Sequence, residues 1–182
     1  MTAVRTIAFQ GEPGAFSHAA CLSFVPDAEP RACPSFEAAV EAVRSGACAL
    51  ALLPVSNSIA GPVEPVVRLL AETGLRELGR HDLVVRMALI GAPGAGLSDL
   101  RTVASHPVAL RQCNRLIADL GLSPEPAFDT AGAARLLAEN PDRSRGVLAS
   151  EAAAALHGLP VLRADVEDQP GASITTFLAL AP

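Results

Sequence analysis

Short apolar runs alternate along the chain with segments in which apolar residues recur every three or four positions. The run Ala47–Val55 is apolar over the length of a strand, which is typical of a parallel sheet buried on both faces. Val63–Ala71 shows the helical period instead. The same pattern predicts the remaining strands and helices at Thr6–Phe9, Ser17–Phe24, Leu83–Ile90, Thr102–Ala104, Pro126–Phe128, Thr130–Glu139, Gly146–Ala149, Ser150–His157 and Ile174–Leu180. Such alternation is typical of an α/β fold.

Residues that begin and end helices support this assignment. Ser35 is suited to cap a helix that Gly46 then ends. Pro107 stands at the first position of another helix, which we expect to continue without a break to Leu120. The apolar face of that helix comprises Leu110, Cys113, Leu116, Ile117 and Leu120.

The alternation stops at the loop Gly91–Gly96 and then restarts, which predicts two α/β lobes with a ligand cleft between them. We assign residues 1–80 and 170–182 to the first lobe and residues 81–169 to the second. The loop lacks the Lys-Ser/Thr ending that phosphate binding would need, so we interpret it as a flexible connection between the lobes.

Composition restricts the class of protein. Of the 182 residues, 50% are hydrophobic and 18% are charged, so the chain can bury a core and is not a disordered protein. The net charge of −5 and the absence of Tyr and Trp argue against a nucleic-acid partner. No apolar run is long enough to span a bilayer, and Met1–Phe9 lacks the pattern of a signal peptide. We therefore expect a soluble, cytoplasmic protein with no membrane partner.

The cysteines give no sign of metal or redox chemistry. They show no CxxC pair, and no histidine stands at the spacing of a zinc finger. We expect neither a metal site nor a disulfide, and we interpret Cys48 and Cys113 as buried thiols.

Polar residues interrupt the apolar pattern where predicted strands end or helices begin. The clusters are Gly14–Ser17, Ser56–Ser58, Ser105–Pro107 and Asp129–Thr130. Because open α/β sheets bind ligands at the carboxyl ends of their strands, we predict that these clusters bind an anionic small molecule. For any single cluster the simpler interpretation is a helix cap, as for Ser17, Thr130 and Ser150. His106, just before Pro107, has two equal interpretations: a substrate donor or acid–base group, and a histidine that caps the turn.

Three longer segments resemble motifs of the prephenate dehydratase family. Ile7–His18, with the sequence IAFQGEPGAFSH, is similar to the opening segment of that family. Leu53–Val63 resembles its segment P-I-E-N-S-x-x-G-x-V, and Ser105–Cys113 resembles S-H-P-Q-A-L-x-Q-C. Further matches follow in the same order at Asp129–Ala134, Ala149–Ser150, Asp168 and Thr175–Phe177, the last against T-R-F.

The resemblance implies a fold of two α/β lobes of the periplasmic-binding-protein (type II) kind, with the active site in the cleft. It implies a carbon–oxygen lyase of phenylalanine biosynthesis that converts prephenate to phenylpyruvate without a metal or organic cofactor, and it implies a homodimer. Thr175 is the implied catalytic residue, whose hydroxyl would assist the departing hydroxide. The implied substrate-binding residues are Asn57, Ser58, Gln112, Ser17, Ser105, His106 and Phe177. We expect Gln112 to face the cleft because it lies one residue off the buried stripe of its helix.

Four positions depart from the family pattern. Ser56 replaces a Glu, Thr176 an Arg, Ala15 a Thr or Ser, and Ser173 an Asn. Two alternatives therefore stay open: a prephenate decarboxylase that does not aromatise the ring, and a carboxylate-binding protein without catalysis. The use of arogenate stays open as well. From the position of Leu180 near the end of the sequence, we expect no regulatory ACT domain.

Overall fold

The structure, a computed structural model, describes residues 6–182. The first five residues lie outside this range, and with them part of the segment examined for a signal peptide. The helices are α1 Phe16–Phe24, α2 Phe36–Arg44, α3 Glu64–Thr73, α4 Pro107–Gln112, α5 Asn114–Asp119, α6 Thr130–Glu139 and α7 Glu151–Leu156. The strands are β1 Thr6–Gln10, β2 Glu29–Cys33, β3 Leu50–Asn57, β4 Gly61–Pro62, β5 Arg76–Val84, β6 Ala88–Ile90, β7 Thr102–Ser105, β8 Ser123–Pro126, β9 Arg145–Ala149, β10 Val161–Arg163 and β11 Ile174–Ala181.

The chain divides into two compact units. Unit 1 comprises the chain as far as Glu12, Phe16–Val85 and Ala172–Pro182, and unit 2 comprises Pro13–Ala15 and Arg86–Gly171. The boundaries expected from the sequence are at 80/81 and 169/170. In the structure the chain passes from unit 1 to unit 2 at 85/86 and returns to unit 1 at 171/172.

Unit 1 is built on a mixed sheet in the order β2-β1-β3-β11-β5, with β4 beside β3. β1 pairs in parallel with β2 and β3, whereas β11 runs antiparallel between β3 and β5. Both faces of the sheet are buried, because consecutive residues of β1 contribute to different core clusters. Ile7 and Phe9 pack with Ala20 and Cys21 of α1, and Ala8 packs with the buried face of α2.

Unit 2 is built on a sheet in the order β10-β6-β9-β7-β8. β7 pairs in parallel with β8 and β9, so that the carboxyl ends of these three strands meet at one edge. Its core is formed mainly by small residues of α6 and α7 packed against β6 and β9, for example Ala134 and Ala153 against Val147.

The helix predicted to run from Pro107 to Leu120 is interrupted at Cys113, whose φ of −120° and ψ of 28° are not helical. Asp168 supplies the physical reason. Its backbone N–H donates to the carbonyl of Gln112 at 2.7 Å, and its Oδ1 accepts from the backbone N–H of Arg115 at 2.9 Å. Both backbone groups are therefore satisfied by Asp168 at the break in the helix.

Two further predictions are corrected. The single strand predicted at Leu83–Ile90 is divided between β5 and β6, which belong to different units. The loop Gly91–Gly96 does not connect the units, because it lies wholly inside unit 2. Gly91 donates to the carbonyl of Pro160 at 3.1 Å, and a Cβ at Gly91 would stand 2.7 Å from Leu162 Cδ1. None of the helices within residues 6–182 is long and apolar enough to cross a membrane.

Candidate functional site

Asn57 and Thr175 meet side chain to side chain at the paired ends of β3 and β11. The register places Thr175 opposite Asn57, and the two residues share a face of the sheet. Asn57 Nδ2 donates to Thr175 Oγ1 at 3.1 Å and to Ser173 Oγ at 3.0 Å. The hydroxyl oxygens of Ser173 and Thr175, two positions apart in the sequence, thus accept hydrogen bonds from the same amide.

The orientation of the Asn57 amide is fixed from its other end. Oδ1 accepts from the backbone N–H groups of Ile59 at 3.0 Å and Ala60 at 2.9 Å, because the chain turns sharply after β3. With both amide hydrogens donated and the oxygen accepting twice, the hydrogen-bonding capacity of Asn57 is filled inside unit 1. The Asn57 amide therefore holds the Thr175 hydroxyl in place, and its predicted contact with substrate stays a prediction.

Ser58 connects the same two chain segments through its hydroxyl. Its Oγ donates to the carbonyl of Ala172 at 2.5 Å and accepts from the backbone N–H of Ile174 at 2.8 Å. Its backbone N–H donates to the carbonyl of Ile174 at 2.8 Å. The structure therefore uses Ser58 to hold the start of β11, and substrate contact by this hydroxyl stays a prediction.

Thr176 lies on the opposite face of β11 from Thr175, because successive residues of a strand point to opposite faces. Its Oγ1 donates to Asp82 Oδ1 at 2.7 Å, and the register pairs it with Ser56 on the other side. Two of the four departures from the family pattern, Glu to Ser at 56 and Arg to Thr at 176, thus fall on one cross-strand pair. The usual Arg would stand opposite the usual Glu on this face, away from the face of Thr175.

Ser105 ends β7 inside unit 2, and its side chain is fully buried. Its Oγ donates to the carbonyl of Leu148 on β9 at 2.6 Å. The aromatic ring of Phe177, in unit 1, is 1% exposed within the core cluster that contains Phe9 and Leu52. The structure does not bring these two side chains to the surface with the other candidates, and their predicted contacts with a substrate stay predictions.

His106 caps α4, as one of its two interpretations required. Its Nδ1 accepts from the backbone N–H of Val108 at 3.2 Å, so in the neutral ring the proton resides on Nε2. Burial and, to a smaller extent, Arg111 lower the pKa of His106 below its ordinary value, while Asp129 opposes the shift. A half-buried, neutral imidazole with Nε2–H as its donor results.

Gln112 ends α4 and is 9% exposed, so it does not face solvent. Its carbonyl is held by Asp168, the residue that also interrupts the helix. Whether its side-chain amide reaches a substrate stays a prediction for mutagenesis.

Ser17 lies in the first turn of α1, which begins one residue earlier at Phe16, and it is half-buried. The adjacent His18 stacks on Phe9 with ring centroids 5.5 Å apart, and burial lowers the pKa of His18. The two other predicted caps differ in outcome. Ser150 caps α7, whereas Asp129 and not Thr130 caps α6.

Ser150 also explains the glycine of the first motif. Its Oγ accepts from the backbone N–H of Ala153 at 3.0 Å and donates to the carbonyl of Gly14 at 2.7 Å. Gly14 has a φ of +87°, and a Cβ there would stand 2.9 Å from Ala153 Cα. A side chain is excluded at Gly14 by both conformation and space.

Sequence reasoning missed the part played by Ser173, which it treated only as a departure from the family. Its side chain is 1% exposed and its hydroxyl accepts from Asn57. A signal was available, because Ser173 precedes Thr175 by two residues and so shares its face of the strand.

The four cysteines are buried. Burial raises the pKa of the Cys21 and Cys113 thiols to about 12 in each case, so neither thiol is a nucleophile at neutral pH. The interpretation of Cys48 and Cys113 as buried thiols is confirmed.

The fold and the side chains described so far define a two-unit α/β protein with ordered hydroxyl, amide and imidazole groups at strand ends. The chain matches the family described as prephenate dehydratase over residues 7–182. It is 43% identical over 168 residues to a bifunctional N-acyl-homoserine lactone acylase/prephenate dehydratase of Komagataeibacter europaeus, which covers 92% of this chain and 60% of that protein. It is 38% identical over 175 residues to arogenate dehydratase 2 of Petunia hybrida, covering 96% of this chain and 44% of the relative.

Solved structures share the fold of this chain. The crystal structure of a prephenate dehydratase from Arthrobacter aurescens in complex with L-Phe superposes with a TM-score of 0.89 at 28% identity, covering 97% of this chain and 60% of that one. An ABC transporter protein from Parabacteroides distasonis shares the fold, with a TM-score of 0.52 at 12% identity, over 98% of this chain and 66% of that one. The predicted fold class is confirmed.

The chain belongs to the prephenate dehydratase family. It spans about half the length of the curated relatives that it matches, from 44% to 60% for the two named above.

Proposed function

We propose that the chain is a prephenate dehydratase, a carbon–oxygen lyase that forms phenylpyruvate from prephenate in phenylalanine biosynthesis. Membership of the family supports this class of reaction. The observation that carries the proposal is the hydrogen bond between the Asn57 amide and Thr175 Oγ1 at 3.1 Å. That hydrogen bond fixes a hydroxyl whose oxygen is already an acceptor and whose hydrogen can be donated onward.

The reaction needs little acid–base chemistry from the protein. The bond between the ring and its carboxylate breaks, carbon dioxide leaves, and the electron pair enters the ring. The bond between C4 and its hydroxyl breaks with its electron pair, and the departing hydroxide becomes water with a proton that ultimately comes from solvent. The gain of aromaticity drives both cleavages, and neither needs a metal or an organic cofactor.

Thr175 would act on the departing oxygen, where negative charge grows in the transition state. A preorganised donor at such a position stabilises the transition state without a full proton transfer. Acceptance of a hydrogen bond from Asn57 polarises the threonine hydroxyl and strengthens it as a donor. We assign the catalytic role to Thr175 and positioning roles to Asn57 and Ser58.

Prephenate carries two carboxylates, which the remaining candidates would bind as hydrogen-bond donors. Three observations support these assignments. His106 has Nε2–H as its donor, Gln112 is buried, and Ser17 lies in the first turn of α1. Each of these assignments predicts that loss of the side chain raises KM for prephenate more than it lowers kcat.

One assay tests the proposal against its alternatives. The purified chain is incubated with prephenate and the product is identified by mass. Loss of carbon dioxide and water supports the dehydratase, and loss of carbon dioxide alone would establish the decarboxylase that does not aromatise the ring. Binding of prephenate with no change in mass would establish the carboxylate-binding protein.

Arogenate is a second candidate substrate, since relatives 37% to 39% identical to this chain are named arogenate dehydratases. Arogenate differs from prephenate only in bearing an amino group in place of the keto oxygen, so the same elimination would give phenylalanine. The same assay with arogenate, at matched concentration, gives the ratio of kcat/KM for the two substrates.

A further inference from the structure

Phe128 presents an aromatic ring to solvent, whereas the five other phenylalanines are buried or half-buried. Its side chain is 81% exposed, the largest value for a large hydrophobic residue within the described part of the chain. The sequence has 6 Phe and no Tyr or Trp, and Phe9 and Phe177 are each only 1% exposed. A ring left in water contributes nothing to the stability of the core, so it is available to contact a ligand.

Phe128 and His106 follow neighbouring strands of unit 2. β7 and β8 are parallel neighbours in which Ser105 pairs with Pro126, and the backbone N–H of Ala127 donates to the carbonyl of Ser105 at 2.8 Å. His106 and Phe128 therefore follow the carboxyl ends of two adjacent strands, the edge at which α/β sheets bind ligands.

Polar groups of the two residues that flank this edge, Asp129 and His106, already accept hydrogen bonds from the backbone. Asp129 Oδ1 accepts from the backbone N–H of Gly132 at 2.5 Å and caps α6. His106 Nδ1 accepts from Val108, so Nε2–H is the donor that remains on the neutral imidazole. This edge thus presents one flat apolar surface beside one neutral N–H donor. That pair suits an unsaturated six-membered ring that carries an oxygen acceptor.

We propose that Phe128 is a specificity-determining residue that packs against the ring of the substrate, beside an oxygen of the same substrate bound by His106. The inference rests on the proposed function, because it names the part of prephenate that this edge of unit 2 would recognise. A phenyl ring packs on the flat face of another unsaturated ring by dispersion and edge-to-face geometry, and it selects against acyclic carboxylates. Phe128 takes no part in bond breaking.

The test compares substitutions at Phe128 in steady-state kinetics with prephenate. Phe128→Ala is expected to raise KM about tenfold while kcat stays within about twofold, since packing that is equally strong in the ground and transition states affects binding alone. Phe128→Leu should be intermediate, and Phe128→Tyr should restore the KM of the unchanged protein. Leu136→Ala is the matched control, because Leu136 is a 50% exposed residue of α6. It should leave KM unchanged.

A direct binding measurement separates failure of this inference from failure of the proposed function. Phenylpyruvate, the product, is titrated calorimetrically into the unchanged protein and into Phe128→Ala. If the unchanged protein turns over prephenate and Phe128→Ala has the same KM, the inference is overturned and the dehydratase stands. If turnover is absent, the dehydratase fails, and the inference then survives only where phenylpyruvate binds more weakly to Phe128→Ala. Equal binding to both proteins, or to neither, would overturn it.

Discussion

Two neighbouring threonines of one strand have different partners, although their chemistry is identical. The hydroxyl of Thr175 accepts from an amide whose other hydrogen bonds are complete, and the hydroxyl of Thr176 donates to a carboxylate on the opposite face. An oxygen that accepts keeps its proton for another molecule, whereas an oxygen that donates to Asp82 has already used it. This difference in hydrogen-bond direction, rather than residue type, is the reason that we propose Thr175 and not Thr176 as the catalytic residue.

Thr175→Val tests this distinction, because valine keeps the branched shape and removes the donor. We expect kcat to fall about 100- to 1000-fold, as for loss of one oxyanion donor in other enzymes, with a much smaller change in KM. Thr176→Val is the matched control and should keep kcat near that of the unchanged protein. Thermal unfolding of both variants verifies that each is folded. A reversal of the two results would mean that Thr176 addresses the substrate.

The sequence indicated the candidates of this strand but not their roles. Thr175 and Asn57 were found through their motifs, yet nothing in a motif states that the Asn57 amide is saturated by the turn after β3. That saturation depends on backbone geometry two and three residues later. The family motifs also do not reveal that the Ser105 hydroxyl donates to the carbonyl of Leu148 on β9. Nor do they reveal that the Phe177 ring lies in a core cluster of unit 1.

At the scale of elements, periodicity identified the buried strands but missed β2 and most of β5. β2 has the sequence EPRAC and β5 the sequence RELGRHDLV, and both are edge strands of unit 1 with little apolar alternation. Their strand conformation comes from pairing with β1 and β11, which is a tertiary effect. The helix break at Cys113 was hidden for a similar reason, because its cause, Asp168, is distant in sequence.

His106 gives α4 a pH-dependent cap. Because burial lowers its pKa in the folded protein, the unfolded chain binds the proton more readily below about pH 6.5. The free energy of unfolding therefore falls as pH decreases through 6.5 toward the folded-state pKa. We expect His106→Asn, which can still accept from Val108, to make this fall shallower. It should not abolish the fall, since the pKa of His18 is lowered as well.

Urea unfolding at a series of pH values between about 7.5 and 5 measures the effect, with free energies compared at each pH. Equal free energies for the two proteins at the upper end would show that asparagine replaces the cap. Parallel curves for the two proteins throughout the range would contradict the role given to His106.

Ser56 and Thr176, two positions that depart from the family pattern, form one cross-strand pair and can be tested together. Introducing both Ser56→Glu and Thr176→Arg should create an ion pair between β3 and β11 with a coupling free energy of about 0.2–1 kcal/mol. The two single substitutions complete the double-mutant cycle. Activity on prephenate should change little, because this face is opposite to that of Thr175. A large change in kcat would place the pair in the catalytic machinery.

At the scale of the whole molecule, the order of the strands in a sheet differs from their order in the sequence. Unit 1 takes β11 from the last residues of the sequence and places it between β3 and β5. The apolar pattern of Ile174–Leu180 predicted a strand there, but no local signal states which strands lie beside it. Pairings over such sequence separations form slowly, because a long loop must close first.

The hydrogen bonds around Asn57 and Ser58 also bear on the chemical ageing of the protein. An asparagine followed by serine deamidates when the backbone nitrogen of the serine attacks the side-chain carbonyl carbon. In this structure the Ser58 nitrogen donates to Ile174, and the Asn57 amide is held at both ends. The reaction therefore requires opening of the chain, so deamidation at Asn57 should follow the population of unfolded molecules as temperature rises. Peptide mapping after storage below and near the unfolding temperature measures it, and equal rates in folded and urea-unfolded protein would contradict this protection.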